Sequence, residues 1–410
     1  MPSPGRLVGI LVGTVVILGA GVYGPVTLLA PLPPVHAEVL EGAQDAVAVA
    51  PPVLPVEGAS SVMIVGAGAP VATTGIADPV PVAGLAKIVA ALVVIDAKPI
   101  DVGRTGPAVT ISNEDYADYI RYTNEDARSV PVFVGETWTE RELLQAVLLG
   151  SSNNHADTLA RWAFGSVDAY VDAANTWLAA KGLASMHMAD ATGLDEGSIG
   201  TAADAARLGA LVAQQPTLSE ILANPATSLV GGRGVSSTTD YLSDAGISVI
   251  SRSFTDAAGV CLLFTATLGQ APDTVQVAGA FLREPDYDTL DADVKAFTAA
   301  AAPGVAPVDV VARGTSYARF RSDWGQSADG VARVAVTRPA WQAAPTDTGA
   351  ARQVSLDAFS TAPRGDLVGH VKAAGTSIPL ELDAPIGDPG LGWRLLHPIP
   401  MIKALIAANK

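Results

Sequence analysis

The chain has 410 residues, 49% of them hydrophobic, with a mean hydropathy of +0.33, which is enough for two domains and a sizeable core. Its formal net charge is −16 with a pI near 4.6, and no Lys/Arg-rich run breaks that acidity, which argues against nucleic acid and other polyanions as partners. The single cysteine, Cys261, excludes an intramolecular disulfide framework, and its setting in Gly-Val-Cys-Leu-Leu-Phe reads as a buried, inert thiol.

Leu7 to Ala30 runs 24 residues without a charge. As a helix that stretch is about 36 Å long, against a bilayer core of about 30 Å. Residues 1–32 are therefore read as a transmembrane signal anchor. Val35-His36-Ala37 also fits a small-residue cleavage site, so a signal peptide is the alternative. Either way the rest of the chain is placed outside the cytoplasm. Residues 33–58, with Pro-Leu-Pro-Pro and Ala-Pro-Pro-Val-Leu-Pro, read as an extended tether.

The main domain is expected over 59–302. It opens with strands at Ser60–Val65 and Pro70–Thr74. Leu85, Ile88, Val89, Leu92 and Val93 then recur at helical spacing, which predicts a helix over Gly84–Asp96. Lys87 falls in its first turn, where a buried ammonium needs a partner or a task. Short β-like pieces at Ala108–Ser112 and Val130–Val134 flank a polar stretch, Asn113–Arg128, without clear periodicity. Thr139 and Glu142 have capping-box spacing at the start of a helix over Thr137–Gly150. Ser151-Ser152-Asn153-Asn154 interrupts it, and helices follow at His155–Phe164, Val167–Lys181 and Thr201–Gln214.

Strands at Ile247–Phe254, Gly259–Leu268 and Thr274–Leu282, joined by short turns, predict an antiparallel sheet. A helix at Tyr287–Ala301 completes a sheet with helices on both sides. Ala302-Pro-Gly-Val-Ala-Pro307 reads as a boundary, after which 303–398 alternates short β-prone runs with turns and reads as a small all-β domain. Residues 399–410 form a C-terminal tail too short to span a membrane.

Four stretches, in order and spacing, resemble the serine D-Ala-D-Ala carboxypeptidases, the low-molecular-mass penicillin-binding proteins. Pro81-Val-Ala-Gly-Leu-Ala-Lys87 is similar to the nucleophile helix, and Leu149-Gly-Ser-Ser-Asn-Asn154 to the Ser-x-Asn motif. Met188-Ala-Asp-Ala-Thr-Gly-Leu194 with Thr201-Ala-Ala-Asp204 matches a Gly-Leu segment before the next helix, and Ala258-Gly-Val-Cys-Leu262 matches the strand after Lys-Thr-Gly. The resemblance implies an α+β penicillin-binding-protein/β-lactamase-like transpeptidase domain with a small all-β C-terminal domain. It also implies serine-type hydrolysis of peptidoglycan stem peptides in the cell envelope. In that chemistry Lys activates a serine three residues earlier, the Ser-x-Asn pair relays the proton, and Lys-Thr-Gly binds the substrate carboxylate.

The chain departs from this pattern at two of the three motifs. Gly84 stands where the nucleophile belongs. None of the lysines at 87, 98, 181, 295, 372, 403 and 410 has a serine three residues before it. Counting back from Ala258-Gly259, the Lys-Thr-Gly positions become Ser251, Arg252 and Ser253, and Arg252 sits on the wrong strand face to replace the lysine. The second motif persists in two registers, Ser151-Ser152-Asn153 and Ser152-Asn153-Asn154, of which the second is preferred from its spacing to Leu148 and Leu149.

The expected site is thus Lys87, Ser152 and Asn154 at catalytic family positions, with Ser251, Arg252 and Ser253 at the substrate-binding positions. His155 beside Ser152 reads as a solvent-facing helix-start histidine rather than a base. The five histidines are scattered, so no metal and no cofactor are expected. The leading reading is a single-pass membrane-tethered pseudoenzyme that binds peptidoglycan or an envelope protein. An active serine carboxypeptidase and a ligand-free structural envelope protein are the alternatives.

Overall fold

The computed structural model describes residues 4–40, 51–226, 228–235, 246–269, 271, 273–342, 353–373 and 376–408. The chain divides into two units, one of residues 49–306 and the other of 1–48 together with 307–410.

In the first unit five antiparallel strands lie in the order Ala72–Gly75, Ala59–Ile64, Val275–Glu284, Gly259–Leu268 and Ile247–Thr255. The two faces of this sheet are sorted by strand alternation. Leu263 and Ala278 point toward the helix Ala202–Gln214, where Gly209 lies close to both. Phe264 and Phe281 point the other way and form an edge-to-face cluster with Phe297 of the helix Tyr287–Ala300, with ring centroids 5.3–6.2 Å apart. Helices therefore cover both faces, as the α+β reading predicts.

The helix Leu85–Ala97 lies at the centre of the helical side. Eleven consecutive residues, Leu85 to Ile95, are buried, so it is enclosed all round rather than along one stripe. It packs on the helices Glu140–Leu148, Asn153–Phe164, Val167–Ala180 and Ala202–Gln214 and on the strand Ile247–Thr255. The capping signals are realised: the Thr139 hydroxyl accepts from Glu142 N–H and the Glu142 carboxylate accepts in return from Thr139 N–H. Thr201 accepts from Asp204 N–H in the same way.

The polar stretch Asn113–Arg128 contains a helix, Asn113–Asn124, opened by a Ser112–Asp115 capping box. Its apolar face is narrow, and ion pairs and hydrogen bonds from Asp115 and Asp118 to Arg161 and Thr158 hold it in place. Periodicity therefore could not show it. Thr137–Thr139 is a short strand paired with Ala108–Thr110 rather than the first turn of the next helix, and 130–134 form no regular strand.

The second unit carries a six-stranded antiparallel sheet in the order His36–Val39, Ser316–Arg321, Ser327–Ala332, Thr376–Leu382, Leu367–Ala373 and Gln353–Leu356. Its core includes Tyr317, Phe320, Val371, Ile378 and Leu380. The strand His36–Val39 corrects the reading of 33–58 as a tether throughout. All four of its side chains are exposed, and it is held by main-chain pairing to Ser316–Arg321, which leaves no hydrophobic pattern to read. Val8–Leu29 forms a continuous apolar helical run of 22 residues with a mean hydropathy of 1.9, long enough to cross a bilayer. The helices Leu391–Leu396 and Pro398–Ala408 pack beside its end at Gly24–Leu29.

Candidate functional site

A cleft of about 660 Å³ opens in the first unit over the start of the helix Leu85–Ala97. Gly84, Lys87, Arg128, Ser151, Asn153, Thr192, Ser253 and Tyr287 are among the residues that line it.

Lys87 is 5% exposed, and its ammonium donates to Asn153 Oδ1 and to the Thr192 carbonyl, both at 2.7 Å. Among the described residues no carboxylate lies within ion-pair distance of it. The nearest anions are engaged elsewhere. Asp190 accepts from the Thr192 and Ser198 hydroxyls and from Gly193 N–H, and Asp157 accepts from the Tyr122 hydroxyl. Burial lowers the Lys87 pKa to about 8, partly offset by the fields of Asp190 and Asp157. Burial also raises Asp157 to about 6.

The turn that supplies the Thr192 carbonyl fits against the helix start through Gly193, whose φ is +77°. A Cβ there would lie 1.7 Å from the Ala83 carbonyl oxygen, so no other residue fits. Ala83 itself has φ 46° and Ser151 has φ 52°. Backbone strain of this kind in non-glycine residues collects where a site holds its geometry against local preference.

The second motif is present in the register that the spacing argument set aside. Asn153, not Asn154, meets Lys87, and Ser151, not Ser152, lines the cleft. Ser152 and Asn154 are fully buried away from it. The Ser152 hydroxyl bonds Asn154 Oδ1 and His155 Nδ1, both at 2.8 Å, and accepts from Val130 N–H. The Asn154 amide closes both hydrogen bonds to the Val130 backbone. These two residues pin the segment before the helix Asn153–Phe164. The φ of Ser151 causes the discrepancy, because a left-handed residue turns its neighbours off the assumed phase. His155 is also buried, against Trp138 at 4.5 Å, rather than facing solvent. Burial takes its pKa to about 3 and keeps the ring neutral.

The strand Ile247–Thr255 closes the opposite side. A bulge between Val249 and Ser251 shifts its phase: Val249 pairs with Phe264 but Ser251 pairs with Leu263. Without it Ser251 and Ser253 would share the face of Val249. The extra residue instead aims both serines at the helix start. Arg252 falls on the far face, where its guanidinium lies 5.0 Å from the Tyr287 ring.

Gly84 and Ser253 meet directly. Gly84 N–H donates to Ser253 Oγ at 3.0 Å. A Cβ on Gly84 would lie 2.9 Å from Ser253 Cβ and 3.0 Å from its Oγ, closer than such atoms normally approach. The volume missing at position 84 is thus present at position 253. Asn153, Ser151 and Thr192 are among the cleft residues that sequence reasoning missed. The alternative Ser-x-Asn register carried the signal for the first two, while a main-chain carbonyl leaves none.

An antiparallel sheet covered by helices on both faces, with a buried lysine one turn into the central helix and a Ser-x-Asn asparagine on its amine, defines a penicillin-binding-protein type of DD-peptidase fold. A sequence model described as D-alanyl-D-alanine carboxypeptidase, peptidase family S11, matches residues 48–281, and the chain belongs to that family. A D-alanyl-D-alanine endopeptidase of Pseudomonas aeruginosa is 28% identical over 211 residues, which cover 49% of this chain and 64% of the relative, so the chain spans less than two thirds of that relative's length. Among solved structures, a peptidoglycan synthesis regulatory factor of Streptococcus pneumoniae aligns with a TM-score of 0.57 at 20% identity, over 82% of this chain and 99% of that one. A D-alanyl-D-alanine carboxypeptidase of Mycobacterium tuberculosis aligns at 0.52 and 23% identity, over 63% and 95%. At these identities the structural likeness speaks for the fold alone.

Proposed function

We propose that this protein is a membrane-tethered member of the family that has kept the cleft and lost the acyl-enzyme chemistry. It binds a peptidoglycan stem peptide, or a partner that presents similar chemistry, on the outer side of the membrane. The observation that carries the reading is the Gly84–Ser253 pair. Serine hydrolysis needs a hydroxyl at the helix start and backbone N–H groups free to hold the oxyanion. Position 84 has no side chain, the room for one is filled by Ser253, and the Gly84 N–H is occupied by the Ser253 hydroxyl. The carboxylate-binding side is altered too: Ser251 and Ser253 are neutral, and the Arg252 guanidinium lies over the Tyr287 ring. The apolar run Val8–Leu29 supports the anchor, and the family's chemistry supports the envelope location.

The test uses the full chain in detergent micelles, incubated with a labelled penicillin and read by intact mass and peptide mapping. No adduct is expected. A stoichiometric ester on any serine, or release of D-Ala from a stem pentapeptide, overturns the reading. One observation favours a live alternative: Ser151 lines the cleft beside Asn153 in a strained backbone conformation, and an ester mapped to Ser151 would establish it.

A further inference from the structure

The family resemblance puts Lys87 at the position of a base, yet its surroundings suit a different task. A neutral amine has two N–H groups and one lone pair. Asn153 Oδ1 and the Thr192 carbonyl accept the two N–H groups, and both acceptors are uncharged. The residue one turn earlier, Gly84, presents no hydroxyl to take up the remaining tetrahedral position, and the lysine lines an open cleft of about 660 Å³. We propose that Lys87 is a nucleophilic amine that captures carbonyl compounds, aldehydes or ketones, as a Schiff base inside this cleft. The proposal rests on the reading above in one respect only, that no serine at position 84 competes for the ligand.

The step balances with one proton from solvent. The Lys87 lone pair forms a bond to the carbonyl carbon, and one amine proton passes to the carbonyl oxygen to give a carbinolamine. The hydroxyl takes a proton from solvent and leaves as water as the carbon–oxygen bond breaks, and the nitrogen lone pair forms the carbon–nitrogen double bond. The protonated imine keeps one N–H, which suits either Asn153 Oδ1 or the Thr192 carbonyl. The charged groups that face the amine are Asp190 and Asp157, which favour its protonation, and Arg128, which opposes it. Both aspartates are also held by other donors, desolvation outweighs their fields, and about half of the amine is neutral near pH 8.

Propanal with sodium cyanoborohydride, applied briefly to the full chain in detergent at pH 7.5, tests this. Each trapped Schiff base becomes an N-propyl lysine that peptide mass spectrometry locates. Lys87 is expected to be modified at least about tenfold faster than the exposed Lys98 and Lys295, with a rate that rises through pH 8, because an ordinary lysine amine is almost fully protonated there. Modification of Lys87 no faster than of those lysines, or only after unfolding in urea, overturns the proposal. The two readings fail separately. A penicillin ester on a serine leaves rapid propylation of Lys87 intact, and an inert Lys87 leaves the absence of penicillin adduct intact.

Discussion

The two sides of the cleft follow different rules. On one side Lys87, Asn153 and Thr192 form a buried set in which the amine's hydrogen bonds go to uncharged acceptors. On the other, Gly84 meets the serines of a bulged strand at its open edge. A buried amine, charged or neutral, cannot lose an acceptor without leaving a desolvated N–H donor unpaired. A contact made by volume and one neutral hydrogen bond can be rewritten if the total volume is kept. On the function proposed above, the side that departs from the family pattern is the one where change is energetically cheap.

Breaking the first side should have the largest effect. Asn153→Ala removes one of the two acceptors of Lys87 and is expected to cost about 2–4 kcal/mol of stability, measured as a shift in the urea midpoint. A loss below about 1 kcal/mol would show that water replaces the amide.

The pH dependence sharpens the same side. The Lys87 pKa of about 8 lies below the unfolded value of about 10.4, so between these values the unfolded chain binds more protons than the folded one. Stability contributed by Lys87 therefore rises as pH increases from 8 to about 10.4, by at most about 1.4 kcal/mol per pH unit, and is constant below that window. Lys87→Met should flatten that slope relative to wild type in matched urea titrations.

The second side is tested by exchanging its volumes. Gly84→Ser alone places a Cβ against Ser253 and should destabilise by about 1–3 kcal/mol without restoring penicillin acylation. Adding Ser253→Gly should recover about 1 kcal/mol or more of that loss, a favourable coupling in a double-mutant cycle. Strict additivity would mean that the two residues are not a compensated pair. Arg252→Ala is the mildest change, about 1 kcal/mol or less, because it removes a partly exposed cation from the Tyr287 ring.

The same contrast separates what was legible from what was not. Leu85 to Ile95, the capped helix after Thr139 and the three long strands were readable because burial and capping leave periodic or paired signals in the sequence. So was the glycine at position 84, since residue identity at a fixed spacing from Lys87 needs no coordinates. The Ser-x-Asn register was not readable, because one left-handed residue, Ser151, changes which side chains face inward. Nor was the bulge after Val249, although strand alternation alone already set Arg252 on the opposite face from Ser251 and Ser253. A sequence determines which side chains and which local periods are available. Single-residue changes of backbone phase and approaches between distant segments, such as Gly84 to Ser253 across 169 positions, depend on how the whole domain packs, and only the tertiary structure decided them.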